Sequence, residues 1–102
     1  MTTPLKVISI MRRESVEQPW YETTQEFADY FQNTYVNSGK ILLRKVRQSA
    51  NGLVKKKVVV WANLSEQEAY LKDPVVEAEI QRQRAFAENN NIRLNSKTRI
   101  VV

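Results

Sequence analysis

The chain contains no cysteine and no histidine. Disulfide scaffolds, thiol nucleophiles, Cys/His zinc sites and histidine-ligated haem are therefore excluded. A histidine acid/base and a Ser-His-Asp triad are equally excluded. Chemistry at this protein would fall to carboxylates, Lys, Tyr, Arg, Asn or a bound cofactor, and the sequence itself points to no metal or cofactor. Glycine and proline are scarce, at two and three residues. No apolar run approaches the roughly 20 residues of a membrane helix. The opening MTTPLKVISIMRRE has neither a long apolar core nor a small-residue cleavage site. It reads as no signal peptide, and the expected address is the cytoplasm.

Acidic residues are missing from one long window. None occurs between Asp29 and Glu66, a stretch holding Lys40, Arg44, Lys45, Arg47, Lys55, Lys56 and Lys57, hence +7. The remainder has nine basic and eleven acidic residues, hence −2, and the net charge of +5 belongs to that window. At 102 residues, with 42% hydrophobic and 26% charged side chains, the composition fits one globular domain spanning 1–102.

The Val- and Ile-rich LKVISIMR, residues 5–12, predicts a strand. Pro19 suits a first helical position. Trp20, Thr24, Phe27, Phe31 and Tyr35 then recur at nearly helical spacing and predict one buried face of a helix reaching about Val36. Asn37-Ser38-Gly39 ends it, since glycine accepts a left-handed C-terminal stop. Asn51-Gly52 is a hairpin signal; with those two as the loop, paired residue numbers sum to 103. One face then collects Ile41, Leu43, Val58, Val60 and Ala62, expected beneath the helices. The other collects Leu42, Arg44, Val46, Lys55, Lys57, Val59 and Trp61, expected to need a partner sheet. Arg47 falls opposite Lys56, a repulsion that a bulge or a splayed tip would relieve.

Ser65 and Glu68 match the S-x-x-E capping box, so the second helix is expected just after Ser65. Asp73-Pro74 breaks that helix, and Asp73 can cap the segment that follows. Val76, Ile80 and Ala87 mark the buried stripe of that segment. Asn89-Asn90-Asn91 ends it, and residues 92–102 alternate as a last strand. The order β-α-β-β-α-β predicts an α+β, ferredoxin-like, four-stranded antiparallel sheet with both helices on one face.

A strand ending in Trp61, then S-x-x-E-A-Y, then Asp-Pro, then a helix ending before NNNIRL, resembles the dimeric α/β-barrel superfamily. Within it, residues 58–93 are most similar to the antibiotic-biosynthesis-monooxygenase-like domains. The resemblance implies a homodimer with facing sheets and a cavity between sheet and helices for a small organic ligand. It also implies cofactor-free oxygenase-like activity, with Trp61, Asn63, Tyr70 and Arg82 as substrate contacts. The haem-degrading members use an Asn on strand one, a Trp late in strand three and a His on helix two. This chain offers Trp61 but has Ser9 on strand one and no histidine, so that route lacks its groups.

Two readings stand beside these. Trp61 fits an anchor at a dimer interface or cavity wall, because an indole buries much area and has no acid/base role near neutral pH. The basic hairpin 40–57 fits either a nucleic-acid-binding ribbon tracking phosphates or an edge protected against aggregation by its charges. An RNA-recognition motif is disfavoured, because strand one has no aromatic residue on which bases could stack.

Overall fold

The computed structural model describes residues 3–100, with side chains through Thr98. In chain order it has β1 (Leu5–Arg12), α1 (Gln25–Phe31), β2 (Ile41–Gln48), β3 (Val54–Trp61), α2 (Leu64–Lys72), α3 (Pro74–Asn89) and β4 (Arg93–Ile100). The strands form one antiparallel sheet in the order β2-β3-β1-β4, the ferredoxin-like arrangement expected from the sequence. The last strand falls as anticipated, although Val101 and Val102 lie outside the described residues.

The first helix begins later than Pro19 suggested. Residues 19–24 are not helical, and Thr24 is the N-cap, its hydroxyl accepting from the Phe27 amide at 3.2 Å. Trp20 therefore leaves the helical stripe. Its ring instead lies under the Arg13 guanidinium at 4.3 Å, and its indole N–H donates to Gln48. These tertiary contacts outweigh the local preference of Pro19 for a helix start. Beyond Phe31 the helix widens into a π turn, Gln32–Val36, closed by the Asn37 amide on the Gln32 carbonyl at 2.8 Å. In an α-helix each step of four residues drifts by about 40°. The wider turn pulls that drift back, so Phe27, Phe31 and Tyr35 all stay buried. Gly39, at φ +80°, ends the element as expected.

The hairpin keeps the expected register from Leu43↔Val60 to Gln48↔Lys55, with Arg47 opposite Lys56 and both exposed. Five residues, 49–53, separate the strands, rather than a two-residue loop. Only Gly52 takes positive φ (+75°), while the Asn51 side chain accepts from the Leu53 amide and the Ser49 hydroxyl. A bulge at Leu42 then shifts the register by one, so that Ile41 pairs with Trp61. Because strand faces alternate, that shift moves Ile41 to the Trp61 face.

The two faces are the reverse of the expected ones. Leu5, Ile41, Val59 and Trp61 face the helices and form the core with Phe27, Phe31, Tyr35 and Val76. Ile8, Ile10, Leu43, Val58 and Val60 alternate onto the opposite face and contribute nothing to that core. Since Val58-Val59-Val60-Trp61 is apolar throughout, alternation alone could not tell its faces apart. The aromatic stripe of α1 decides the matter, because it needs the largest apolar surface opposite it.

The break at Asp73-Pro74 forms as expected, with Asp73 capping α3 through the Val75 amide at 2.9 Å. The cap of α2 differs. Asn63, not Ser65, accepts from the Glu66 amide at 3.0 Å, and Ser65 lies inside the first turn. Two good capping residues sit two positions apart, and the strand end at Trp61 selects the earlier. Asn63→Ala should therefore cost about 1 kcal/mol of stability. Ser65→Ala should stay within about 0.5 kcal/mol, as read from urea unfolding midpoints.

Candidate functional site

The π turn and the strand end bring four aromatic rings together under α2. Trp61, 3% exposed, lies 4.9 Å from Tyr70 and 5.9 Å from Tyr35 between ring centres. Tyr35 meets Tyr70 edge-on at 4.9 Å, and Phe31 closes the group at 5.9 Å from Tyr70. Edge-on contacts of this kind add to the stabilisation from burial itself. The Tyr35 hydroxyl donates to Asp73 Oδ2, which also accepts from Tyr30. Burial, then the bond to Asp73, pushes the Tyr35 phenol well above its ordinary value. Burial raises Tyr70 to about 12. Neither phenol is a base near neutral pH; both are donors and apolar walls.

At the hairpin side of this cluster two cations share one ring. Arg44 and Lys57 are diagonal neighbours on the helix-facing surface of β2 and β3, since Arg44 pairs with Val59 and Val46 with Lys57. The Arg44 guanidinium lies 5.2 Å and the Lys57 Nζ 5.6 Å from the centre of the Phe31 ring. Among the described residues, neither has a carboxylate within 4.0 Å. Burial, then the adjacent Arg44, lowers Lys57 to about 8. Lys40, by contrast, stands 4.0 Å from Glu66.

A second polar cluster centres on Glu79, which is 1% exposed. Its Oε1 accepts from Tyr21 at 2.7 Å and Thr23 at 3.4 Å, and its Oε2 accepts from Arg82 at 2.6 and 3.1 Å. Burial works to raise the Glu79 carboxyl, but the Tyr21 and Arg82 donors outweigh it and hold it below its usual value. Asp73 behaves likewise, burial being outweighed by Tyr30, Tyr35 and the Val75 and Val76 amides. Glu79 thus ties the connector between β1 and α1 onto α3.

The four residues named as substrate contacts do not converge. Trp61 and Tyr70 touch, Asn63 caps α2, and Arg82 is engaged by Glu79. The interface reading of Trp61 is corrected, because the helices of its own protomer bury it. The basic hairpin is also divided: Arg44, Lys55 and Lys57 face the helices, while Lys45, Arg47 and Lys56 alternate onto the other side. Lys55 lies 5.4 Å from the Trp20 ring. Sequence reasoning missed Glu79, although its position three residues after Val76 put a carboxylate on the buried stripe, which was the available signal. The Arg44–Lys57 pair was visible only as undifferentiated basicity.

Two shallow recesses open elsewhere. One of about 390 Å³ lies between α1 and α3, beside Phe27, Tyr30, Val75 and Arg82. The other, about 360 Å³, lies at the β1–β4 end beside Ile10, Arg12 and Leu94. Neither reaches Trp61, whose surroundings Tyr35 and Tyr70 fill. Among the described residues no helix is long and apolar enough to cross a membrane.

No family model matches the chain, and no curated protein matches it. Solved structures do share its fold. A conserved protein of unknown function from Bacteroides thetaiotaomicron, described as a possible oxidoreductase, superposes with a TM-score of 0.68 at 10% identity, covering 99% of this chain and 100% of that one. A dimeric ferredoxin-like protein from an uncultured marine organism gives 0.59 at 12% identity, covering 98% and 96%. A candidate antibiotic biosynthesis monooxygenase from Deinococcus radiodurans gives 0.57 at 14% identity, covering 96% and 92%. At such identities the likeness concerns the fold, and it agrees with the resemblance carried by residues 58–93.

The two lowered carboxyls contribute an acid-sensitive part of the stability. Their stabilisation is complete above the ordinary carboxyl range of about 4 and is lost as pH falls through their lower folded values. Glu79→Gln should cost roughly 2 kcal/mol near neutrality and flatten the acid limb of stability. Urea midpoints across about pH 2 to 7 provide the check.

Proposed function

We propose that the chain is a small cytoplasmic single-domain protein that pairs sheet to sheet as a homodimer. In this reading it binds a small organic ligand beside the Phe31–Tyr35–Trp61–Tyr70 cluster, with oxygenase-type chemistry as the activity to test. The observation that carries this is the sheet face opposite the helices. Ile8 and Ile10 on β1, with Val58 and Val60 on β3, place an apolar centre on the two middle strands, outside the core. A sheet face of that composition needs a second layer, and a second copy supplies it. Lys6, Lys45, Lys56 and Lys97 lie around that centre by register. Their stems can lie over apolar surface while their charges reach water. The dimeric neighbour and the monooxygenase neighbour support the reading by fold.

One observation favours a second reading. The strands carry two basic residues in β1 and three each in β2, β3 and β4, with no acidic residue in any of them. All eleven acidic residues lie in the helices and connectors. A polyanion such as nucleic acid would meet a uniformly positive sheet.

The readings separate in solution. Wild-type protein at micromolar concentration should sediment with twice the mass of one 11.9 kDa chain, and Val58→Glu should sediment as a monomer while keeping its circular dichroism. A wild-type monomer that binds RNA or DNA at low salt, with affinity falling as salt rises, would replace the dimer by the second reading.

A further inference from the structure

Arg44 and Lys57 are two cations held side by side on one phenyl ring, and no acidic group among the described residues pairs with either. The nearby buried carboxylate, Glu79 on α3, is committed to Tyr21, Thr23 and Arg82. Placing a half-buried ammonium beside a guanidinium disfavours both charges unless a counter-charge joins them. Burial first, and the Arg44 charge second, lower the titration of Lys57. The geometry supplies what an anion needs: a planar fork of donors on an exposed edge-strand Arg, a point charge set deeper on the neighbouring strand, and an aromatic wall.

We infer that Arg44 and Lys57 form the seat for a compact oxyanion borne by an apolar small molecule, whose body rests against Phe31 and Tyr70. The inference rests on the small-ligand reading above and gives that ligand its charge. The Arg44 fork takes two oxygens of a carboxylate or phosphate, Lys57 neutralises the inner one, and the apolar body leaves water for the ring edges. Arg82, committed to Glu79, has no part in this seat.

The test is an NMR titration of the full chain at constant ionic strength with benzoate, phenyl phosphate and the neutral benzamide. Saturable shifts at the Lys57 Cε and the Phe31 ring are expected with one or both anions, benzoate marking a carboxylate seat and phenyl phosphate a phosphate seat. Benzamide should bind at least about tenfold more weakly. Arg44→Met and Lys57→Met should each weaken anion binding by about tenfold or more, while Lys45→Met, on the opposite face, leaves it unchanged. Lys57→Met keeps the apolar stem and removes a half-buried charge, so its unfolding midpoint should not fall. Equal binding of benzamide and benzoate, independent of Arg44 and Lys57, would overturn the anion seat and leave the small-ligand reading standing. A loss in Lys45→Met as large as that in Lys57→Met would also overturn the seat, as would failure of both anions to saturate.

Discussion

One carboxylate holds the helical layer in place over the sheet. Asp73 Oδ2 accepts from Tyr30 and Tyr35, both on the first helical element, while its Oδ1 caps α3 through the Val75 amide. Its extended backbone, at ψ 121°, is also the point where α2 gives way to α3. That join adds to the ring contacts by which Tyr35 of the π turn and Tyr70 of α2 pack against Trp61. The Asp-Pro pair is therefore more than a helix break: the break leaves a carboxylate free to gather phenols. Hydrogen bonds to an ionised group are individually strong, and here two of them close a contact between elements 38 and 43 residues apart in sequence.

Charge is layered as the fold is layered. All charged side chains of the strands are positive, and every negative one lies in a helix or a connector. The acid-free window between Asp29 and Glu66 foreshadows this division without revealing its geometry, because it spans the end of one helix as well as β2 and β3. The consequences differ for the two sheet faces. On the helix side, the exposed Arg44 stands beside the half-buried Lys57, whose charge is costly there. On the other side, lysines and arginines are solvated and ring an apolar centre. A sheet-to-sheet pair must keep those charges at its rim, where salt screens them.

Much of the fold was legible because its signals are local. The hairpin register through Leu43, the Gly39 stop and the Asp73-Pro74 joint each follow from residues within a few positions, and the strand order from the succession of elements along the chain. What failed was decided at a distance. Pro19 lost the helix start to contacts of Trp20 with Arg13 and Gln48. Ser65 lost the cap to Asn63, an equally suitable residue two positions earlier. The face of Trp61 turned on which side of a fully apolar strand the aromatic stripe would choose. The bulge at Leu42 had no sequence mark either, and it put Ile41 into the core. The candidate site was less legible than the fold, since naming lysines does not say which two will meet over a phenyl ring.

The environment of Trp61 constrains any ligand more than its identity does. The indole is enclosed by Tyr35 and Tyr70, and neither open recess reaches it. A ligand cannot approach from the Asp73 side without displacing a phenol that is hydrogen-bonded to a carboxylate. The hairpin side is different. There Phe31 is fringed by the long flexible stems of Arg44 and Lys57, which can move at little cost compared with packed rings. The residues that would attract an anion are thus also those that would yield to it, and this gives the aromatic cluster one soft wall. In the proposed site, Trp61 would shape the back from within the core, while recognition would fall to the cations at its mouth.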